Sequence, residues 1–429
     1  MAAVESSDLR RRLGMVDAVT IGLGSMIGAG IFAALAPAAA SAGSGLLIAL
    51  AIAAVIAYAN ATSTARLAAL HPRAGGAYVY GTERLGALPG FLAGWCFLIG
   101  KSASAAAMAL TIGSAIAPDA ARPIAAAAVI ALTLLNTRGV QKSALLTRAI
   151  VAGVLAALAA LVAAGLLAAL GGGGADGALL SLGSDAPEGA GGVVGILGAA
   201  GLLFFAFAGY ARIATLGEEV REPESTIPRA IITALGIALL VYALVAVTVL
   251  RALGAEPLAQ SPAPLVDAAR ALGGTWLVWV MAAAMVVGSV GSLLGLILGI
   301  SRTAFAMARD GRLPGALAAV HPRFGVPHRA EIAVGVVVCA ALLVADLRHA
   351  IGFSSFGVLL YYAVANASAL TLTKREAAGT KAIPAIGLVG CVLLVVFLPL
   401  TSIIAALLLI AVGVVVFAIG ARKRRPCDR

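Results

Sequence analysis

Two breaks in long apolar segments carry backbone groups that could do chemistry. The first is Gly24-Ser25-Met26-Ile27-Gly28-Ala29-Gly30, and the second follows Phe204-Phe205-Ala206-Phe207-Ala208-Gly209-Tyr210, before a less apolar stretch with Arg212. Glycines weaken a helix, and in lipid an unpaired backbone group costs several kcal/mol unless protein, water or a ligand satisfies it. Such breaks therefore indicate sites where exposed N–H groups and carbonyls bind something.

Lys101 is the third feature, because it lies near the middle of another apolar segment. A charged side chain at the bilayer centre costs about 2.5 to 3.5 kcal/mol on insertion scales, and such a cost usually marks function. We hypothesise that its amine gains and loses a proton during a working cycle, or that it supplies a fixed positive charge in place of a sodium ion. A lysine that snorkels or is salt-bridged for structural reasons is the alternative.

The composition places these features in a membrane. Hydrophobic residues make up 62% of the 429 residues and charged residues 11%. Apolar runs of bilayer-spanning length recur along the chain and predict an all-α polytopic membrane protein. The sequence predicts twelve spans, at residues 15–40, 44–69, 89–117, 122–138, 147–170, 193–216, 229–252, 275–300, 331–348, 351–373, 382–399 and 401–420.

The distribution of basic residues predicts the orientation of the chain. With both termini in the cytoplasm, about 25 of the 30 Lys and Arg residues fall on the cytoplasmic side, as the positive-inside rule requires. The tail at 1–14 and the basic tail at 421–429 are then cytoplasmic, and loops near 171–192 and 253–274 are extracellular. The net charge of +11 is mostly an orientation signal. It does not indicate nucleic-acid binding, which needs a basic face on a folded domain.

The broken segments are the first and the sixth, which occupy corresponding places in two sets of five. This arrangement is the best indication that a sequence can offer of an inverted-repeat transporter with its site at the repeat interface. Cysteines and histidines have neither disulfide nor ligand spacing, so we expect no metal site and no cofactor.

Several motifs in the same order resemble those of the amino acid-polyamine-organocation (APC) permeases, near their cationic amino acid transporter-like branch. The resemblance covers nearly the whole chain. It rests on the break from Gly24 to Phe32, Pro72-Arg73-Ala74-Gly75-Gly76-Ala77-Tyr78, Gly94-Trp95, Glu218-Glu219-Val220-Arg221-Glu222-Pro223 with Ile227-Pro228, and Met307-Ala308-Arg309-Asp310-Gly311. It implies a leucine-transporter-like fold of five plus five inverted helices, at 15–170 and 193–373, followed by two accessory helices within 374–420.

A free amino acid needs donors for its carboxylate and acceptors for its ammonium, and a broken helix supplies both. The half-helix that starts near Gly28 points N–H groups and a positive dipole end at the carboxylate, with Ala29 and Gly30 as the expected donors. The predicted ammonium acceptors are the carbonyls of Met26, Phe205 and Ala208. The side chains and backbone of Ser25, Ile27 and Gly209 complete the predicted substrate site. Packing through Gly24-x-x-x-Gly28 is the alternative for the glycines.

The predicted gates are Phe207 at the second break, with an aromatic core face as the alternative, and Glu218 and Glu219 where the sixth span meets the cytoplasm, with a solvated helix end as the alternative. The chain departs from its resemblance at two positions. Gly100-Lys101 stands where the cationic branch often has a glutamate, and Val154 stands where related proton-coupled members often have a lysine. No acidic residue is predicted near a midplane to neutralise a cationic side chain. A neutral amino acid is therefore expected.

The expected function is secondary active transport of amino acids across the plasma membrane by alternating access, not an enzymatic reaction. A proton moving in the same direction is the expected coupling ion. Sodium bound among Ser25, Ser289 and Ser292 is less favoured. Amino acid exchange and a non-transporting amino acid sensor are the alternatives. Partners are the amino acid, the coupling ion and membrane lipid.

Overall fold

The computed structural model describes residues 13–28, 30–71, 73, 75–138, 144–171, 191–215, 220–344, 346–373, 376 and 380–423, without the side chains of residues 144 and 421–423. Across these residues the chain forms α-helices and short 3₁₀ turns. Among the described residues, the one β-bridge is an isolated parallel bridge between Leu13 and Val220. The all-helical fold expected from the composition is therefore present throughout the described part of the chain.

Sixteen α-helices are formed by the described residues. In chain order they are α1 (Met15–Ile27), α2 (Gly30–Ala42), α3 (Leu46–Leu70), α4 (Ala77–Arg84), α5 (Ala87–Ile116), α6 (Ala121–Thr137), α7 (Ala144–Leu170), α8 (Gly192–Phe207), α9 (Ala211–Ala214), α10 (Pro223–Leu253), α11 (Ala255–Gln260), α12 (Pro264–Arg309), α13 (His328–Val344), α14 (Leu347–Leu370), α15 (Ala382–Val396) and α16 (Leu400–Lys423). Each predicted span overlaps a helix or, at the first and sixth, a broken pair of helices. Nine helical stretches in the described residues are long and apolar enough to cross a membrane.

Two boundaries differ from the sequence-based expectation. The span predicted at 331–348 ends earlier, because α13 stops at Val344 and Asp346 caps the next helix by accepting a hydrogen bond from the His349 amide at 2.7 Å. The segment 253–274, expected as an extracellular loop, is largely helical, since it contains α11 and the first turns of α12, which bury Leu258 and Leu265. Gly274, at φ 74° and ψ −174°, then separates those turns from the membrane-spanning part of α12.

Helix α5 lies inside the bundle and packs against α14, α12, α6 and α4. Small residues allow the closest approach: a Cβ added at Gly100 would lie 3.2 Å from the Cα of Gly357 on α14. Close contacts between small residues are the usual means by which membrane helices associate. This packing holds the middle of α5, including Lys101, next to the second break.

Candidate functional site

The first predicted break is present between α1 and α2. Helix α1 ends at Ile27, Gly28 caps it at φ −62° and ψ −14°, and α2 begins at Gly30. Ser25, Met26 and Ile27 form the last turn of α1. Ala29 lies outside the described residues, so its predicted role as a donor stays a prediction. An N-terminal helix end such as that of α2 carries unpaired N–H groups and a partial positive charge.

The second predicted break follows α8. Helix α8 ends at Phe207, a 3₁₀ turn covers Ala208–Tyr210, and α9 continues for a single turn. The carbonyl of Phe205, a predicted ammonium acceptor, already accepts from the Ala208 amide, which it shares with the carbonyl of Phe204. The Phe205 carbonyl is therefore part of the helix cap, and a ligand would use its remaining lone pair.

The two breaks lie directly against each other. A Cβ added at Gly209 would lie 2.5 Å from the carbonyl carbon and oxygen of Ser25 and 2.6 Å from the amide nitrogen of Met26. A Cβ added at Gly30 would lie 2.4 Å from the Cα of Ala206. Glycine is required at both positions because the two backbones touch. Segments about 180 residues apart in the sequence thus meet at one junction, which we call the break junction (residues 25–30 and 205–209).

Helix α12 closes one side of the break junction. A Cβ at Gly28 would lie 2.1 Å from Ser292 Oγ and 2.6 Å from the carbonyl oxygen of Gly288. Ser292 Oγ donates a hydrogen bond of 2.7 Å to the carbonyl of Gly24. Gly24 and Gly28 therefore lie at the break and also pack against α12, so the alternative interpretation of these glycines as packing residues applies as well.

Lys101 reaches the break junction from α5. Its Nζ donates a hydrogen bond of 3.0 Å to the carbonyl oxygen of Ala208, and the residue is only 6% exposed. The hydroxyl of Tyr362, on α14, donates to the same oxygen at 3.4 Å. A predicted coupling residue and a predicted ammonium acceptor are therefore direct partners. Tyr362 was missed by the sequence reasoning, because an aromatic residue in an apolar helix carries no sign of its orientation.

Aromatic rings hold Tyr362 and the second break in place. Tyr362 stacks on Tyr210 with ring centroids 5.0 Å apart and meets the edge of Phe204 at 5.8 Å. Phe207, the predicted gate, is fully buried and packs on Tyr242 of α10 at 5.1 Å. The hydroxyl of Tyr242 donates to the carbonyl of Ala206 at 3.0 Å, so it fixes a further carbonyl of the break junction.

A cavity of about 170 Å³ opens beside the first break, between α1, α6, α7 and α12. Its walls include Ser25 and Gly28 of the break junction and Val154 of α7. Arg212 and Arg302 also line it, and Leu13 lies at its other end. The cavity therefore connects the first break with the start of α1.

Two contacts fix the start of α1, and neither was foreseen from the sequence. Asp17 pairs with Arg148 of α7 at 2.7 Å. The carbonyl of Leu13 accepts from the Arg221 amide at 2.9 Å, next to the bridge with Val220. The predicted gate residues Glu218 and Glu219 lie outside the described residues.

An ionic cluster surrounds the short helix α4, outside the membrane-spanning segments. Arg84 pairs with Glu376 at 2.6 Å and lowers the pKa of that carboxyl to about 2, with help from hydrogen bonds donated by Thr373. His71 Nδ1 lies 2.7 Å from Glu83. Burial, and after it the charges of the nearby arginines, lower the pKa of His71 below 6.5, so it is neutral at pH 7.

The sequence is similar to known transporters along nearly its whole length. A 60% identical protein of Mycobacterium tuberculosis, named an uncharacterized transporter, matches over 412 residues, which are 96% of this chain and 92% of that protein. The branched-chain amino acid permease BcaP of Bacillus subtilis is 25% identical over 447 residues, covering 97% and 94% of the two chains. The Asc-type amino acid transporter 1 of Mus musculus is 28% identical over 435 residues, covering 97% and 81%.

A family model described as "Amino acid permease" matches residues 13–424, which include both breaks, Lys101 and the ionic cluster around α4. Together with the apolar helices, this match makes the chain a multi-pass membrane protein with the features of a transporter. The chain belongs to the amino acid permease family of the APC superfamily.

Proposed function

We propose that this protein is a secondary active transporter that moves neutral amino acids across the plasma membrane by alternating access. In this proposal twelve spans form two inverted repeats, at 15–170 and 193–373, and the accessory helices lie within 374–420. Both termini are cytoplasmic. The apolar helices and the family membership support this arrangement, together with the basic residues of the loops.

The observation that carries the proposal is the contact of the two breaks. Two interrupted helices that meet through Gly30 and Gly209 bring a helix N-terminus and the end of α8 to one point inside the bundle. The N-terminus of α2 would bind the substrate's carboxylate, through the amides of Ala29 and Gly30. Carbonyls of Met26, Phe205 and Ala208 would accept from its ammonium.

Charge favours a neutral side chain on the substrate. Lys101 is the cation at the break junction, and a cationic substrate would meet it with like charge. We further propose that Lys101 couples proton movement to transport.

Access to the site would alternate through the cavity beside α1 and through the aromatic rings. In this scheme the cavity of about 170 Å³ leads toward the cytoplasm, since Leu13 and the basic residues Arg212 and Arg302 line it. Release of the Asp17–Arg148 pair would let α1 move away from α7. Phe207, Glu218 and Glu219 would form the gates on the α8 side of the substrate.

Uptake into proteoliposomes tests the proposal. The purified protein is reconstituted, and each radiolabelled proteinogenic amino acid is supplied with a pH gradient across the membrane. Accumulation of neutral amino acids above the external concentration, abolished by a protonophore, is the expected result. Binding in a thermal-shift screen without any flux would favour a sensor instead, and accumulation insensitive to the protonophore but dependent on internal amino acid would favour exchange.

A further inference from the structure

The carbonyl of Ala208 is already occupied by the protein's own donors. Its oxygen accepts from Lys101 Nζ at 3.0 Å and, at the longer distance of 3.4 Å, from the Tyr362 hydroxyl. An amino acid whose ammonium binds this oxygen competes with these two donors. The predicted ammonium acceptor and the predicted coupling residue are thus in competition with the substrate.

Lys101 is the donor that can leave. The ring of Tyr362 is held by its stack on Tyr210 at 5.0 Å and by a T-shaped contact with Phe204 at 5.8 Å, so its oxygen cannot leave the Ala208 carbonyl without disturbing several packed rings. Lys101 bears its amine on a flexible four-carbon stem and has Ala208 as its one hydrogen-bond partner among the described residues. Its amine can move aside while the rings stay.

The charges around Lys101 make its departure a deprotonation event. Besides Lys101 itself, the titratable side chains against the break junction are the phenols of Tyr210, Tyr242 and Tyr362. No described carboxylate pairs with Lys101. On the helices packed against α5, the other charged groups lie toward the helix ends: Glu83 and Arg84 of α4, Arg122 of α6, Asp267, Arg270, Arg302 and Arg309 of α12, His328, Arg329 and Glu331 of α13, and Arg348 and His349 of α14. An ammonium arriving beside a protonated Lys101 therefore meets a like charge that no described carboxylate compensates.

We propose that the substrate's ammonium replaces Lys101 on the Ala208 carbonyl and that Lys101 releases one proton to water as this happens, so that amino acid and proton move in opposite directions. One N–H of Lys101 is broken and its electron pair stays on nitrogen. The neutral amine then accepts a hydrogen bond from the ammonium. When the amino acid leaves, the amine takes up a proton from the side it faces and returns to Ala208.

This inference rests on the proposed transport function and fixes the sign of its coupling. The empty carrier crosses with a proton on Lys101, and the loaded carrier crosses without it. The result is exchange of about one proton per amino acid, because a lysine amine has one proton to release. Proton symport, which the sequence led us to expect, would require the proton and the amino acid to be bound to the carrier at the same time.

The direct test follows pH inside proteoliposomes that contain a trapped fluorescent pH indicator and weak buffer. All twenty proteinogenic amino acids are first screened by thermal shift, and each one that binds is then added outside. A rise in internal pH, matched by uptake of the labelled amino acid, is expected. The N-acetyl derivative of the same amino acid keeps the carboxylate but lacks the ammonium, and we expect it to move no protons.

Two variants complete the test. Lys101→Gln keeps a hydrogen-bond donor for Ala208 without a titratable charge, and the number of protons moved per amino acid taken up is expected to fall tenfold or more. Ser102→Ala is the matched control, because Ser102 is buried on the same turn and its hydroxyl bonds only the Leu98 carbonyl of its own helix among the described residues. It should behave as wild type.

The outcomes separate the inference from the function on which it rests. A fall in internal pH during uptake, or proton movement that survives in Lys101→Gln, overturns the inference and leaves the transporter assignment standing. If none of the twenty amino acids binds or is taken up, the proposed function fails and the inference with it. Should Lys101→Gln not fold, the sign of the pH change in the wild type and the response to the N-acetyl derivative decide the question.

Discussion

The contact between the two breaks can be tested by adding a single methyl group. In Gly209→Ala the new Cβ would lie 2.5 Å from the carbonyl carbon and oxygen of Ser25, whereas ordinary van der Waals contact begins near 3.4 Å. The two segments must therefore separate by about 0.9 Å (3.4 minus 2.5). Both neighbours are backbone atoms, so no flexible side chain can move aside. Overpacking of this kind costs about 1–3 kcal/mol.

Displacing the break junction should impair transport more than it impairs folding. Binding groups shifted by about 1 Å can cost on the order of a hundredfold in rate, so we expect amino acid uptake to fall at least tenfold in Gly209→Ala. Uptake is measured in proteoliposomes, and stability by the melting temperature of the purified protein.

Gly236→Ala is the matched control for Gly209→Ala. Gly236 lies on an exposed face of α10 with no atom within 4 Å of an added Cβ, and alanine there should stabilise the helix by about 0.5–1 kcal/mol. Wild-type uptake and melting temperature in Gly209→Ala would refute the contact between the breaks.

Three further changes probe the surroundings of the site. Ser292→Ala removes the buried 2.7 Å hydrogen bond to an α1 carbonyl, and a loss of about 0.5–1.5 kcal/mol should appear as a lower melting temperature; an unchanged melting temperature would contradict that bond. Asp17→Asn removes the ion pair with Arg148. Because the side chain of Arg148 is half exposed, the free energy of unfolding should fall by less than about 1 kcal/mol. In that variant a cysteine at Val154, in the cavity wall, should react faster with a water-soluble maleimide, and equal rates would exclude a gating role. The pKa of His71, measured by NMR, should lie below 6.5 because burial and nearby arginines disfavour the charged imidazole. The free energy of unfolding should therefore be unaffected by this group above pH 6.5 and should decrease as the pH falls below 6.5, where the unfolded chain takes up the proton more readily. An NMR midpoint above 6.5 would contradict this.

The breaks and Lys101 could be predicted because their signals are local. Glycines inside an apolar run, and a lysine in the middle of one, each violate the chemistry of a membrane helix within a short window of sequence. The predicted interruption at Gly28 and the change of helix type at Ala208 are both present. The family membership was likewise predictable from motifs in a fixed order.

What could not be predicted is which side chains face each other. Most of these helices are apolar on every side, so periodicity does not orient them. The bond between Lys101 and the Ala208 carbonyl joins residues 107 positions apart, and the pair of Asp17 and Arg148 joins residues 131 apart. Such partners are fixed by helix packing. The Ala208 carbonyl was expected to be free for the substrate, but in the structure it accepts hydrogen bonds from Lys101 and Tyr362.

A structure of the protein with a transported amino acid bound is the most direct test of the central claim, which is that the two breaks together hold the substrate. We expect the carboxylate at the N-terminus of α2, near Gly30, and the ammonium at the Ala208 carbonyl, with Lys101 Nζ withdrawn from its present 3.0 Å contact. An amino acid bound elsewhere, with Lys101 still on Ala208, would contradict it.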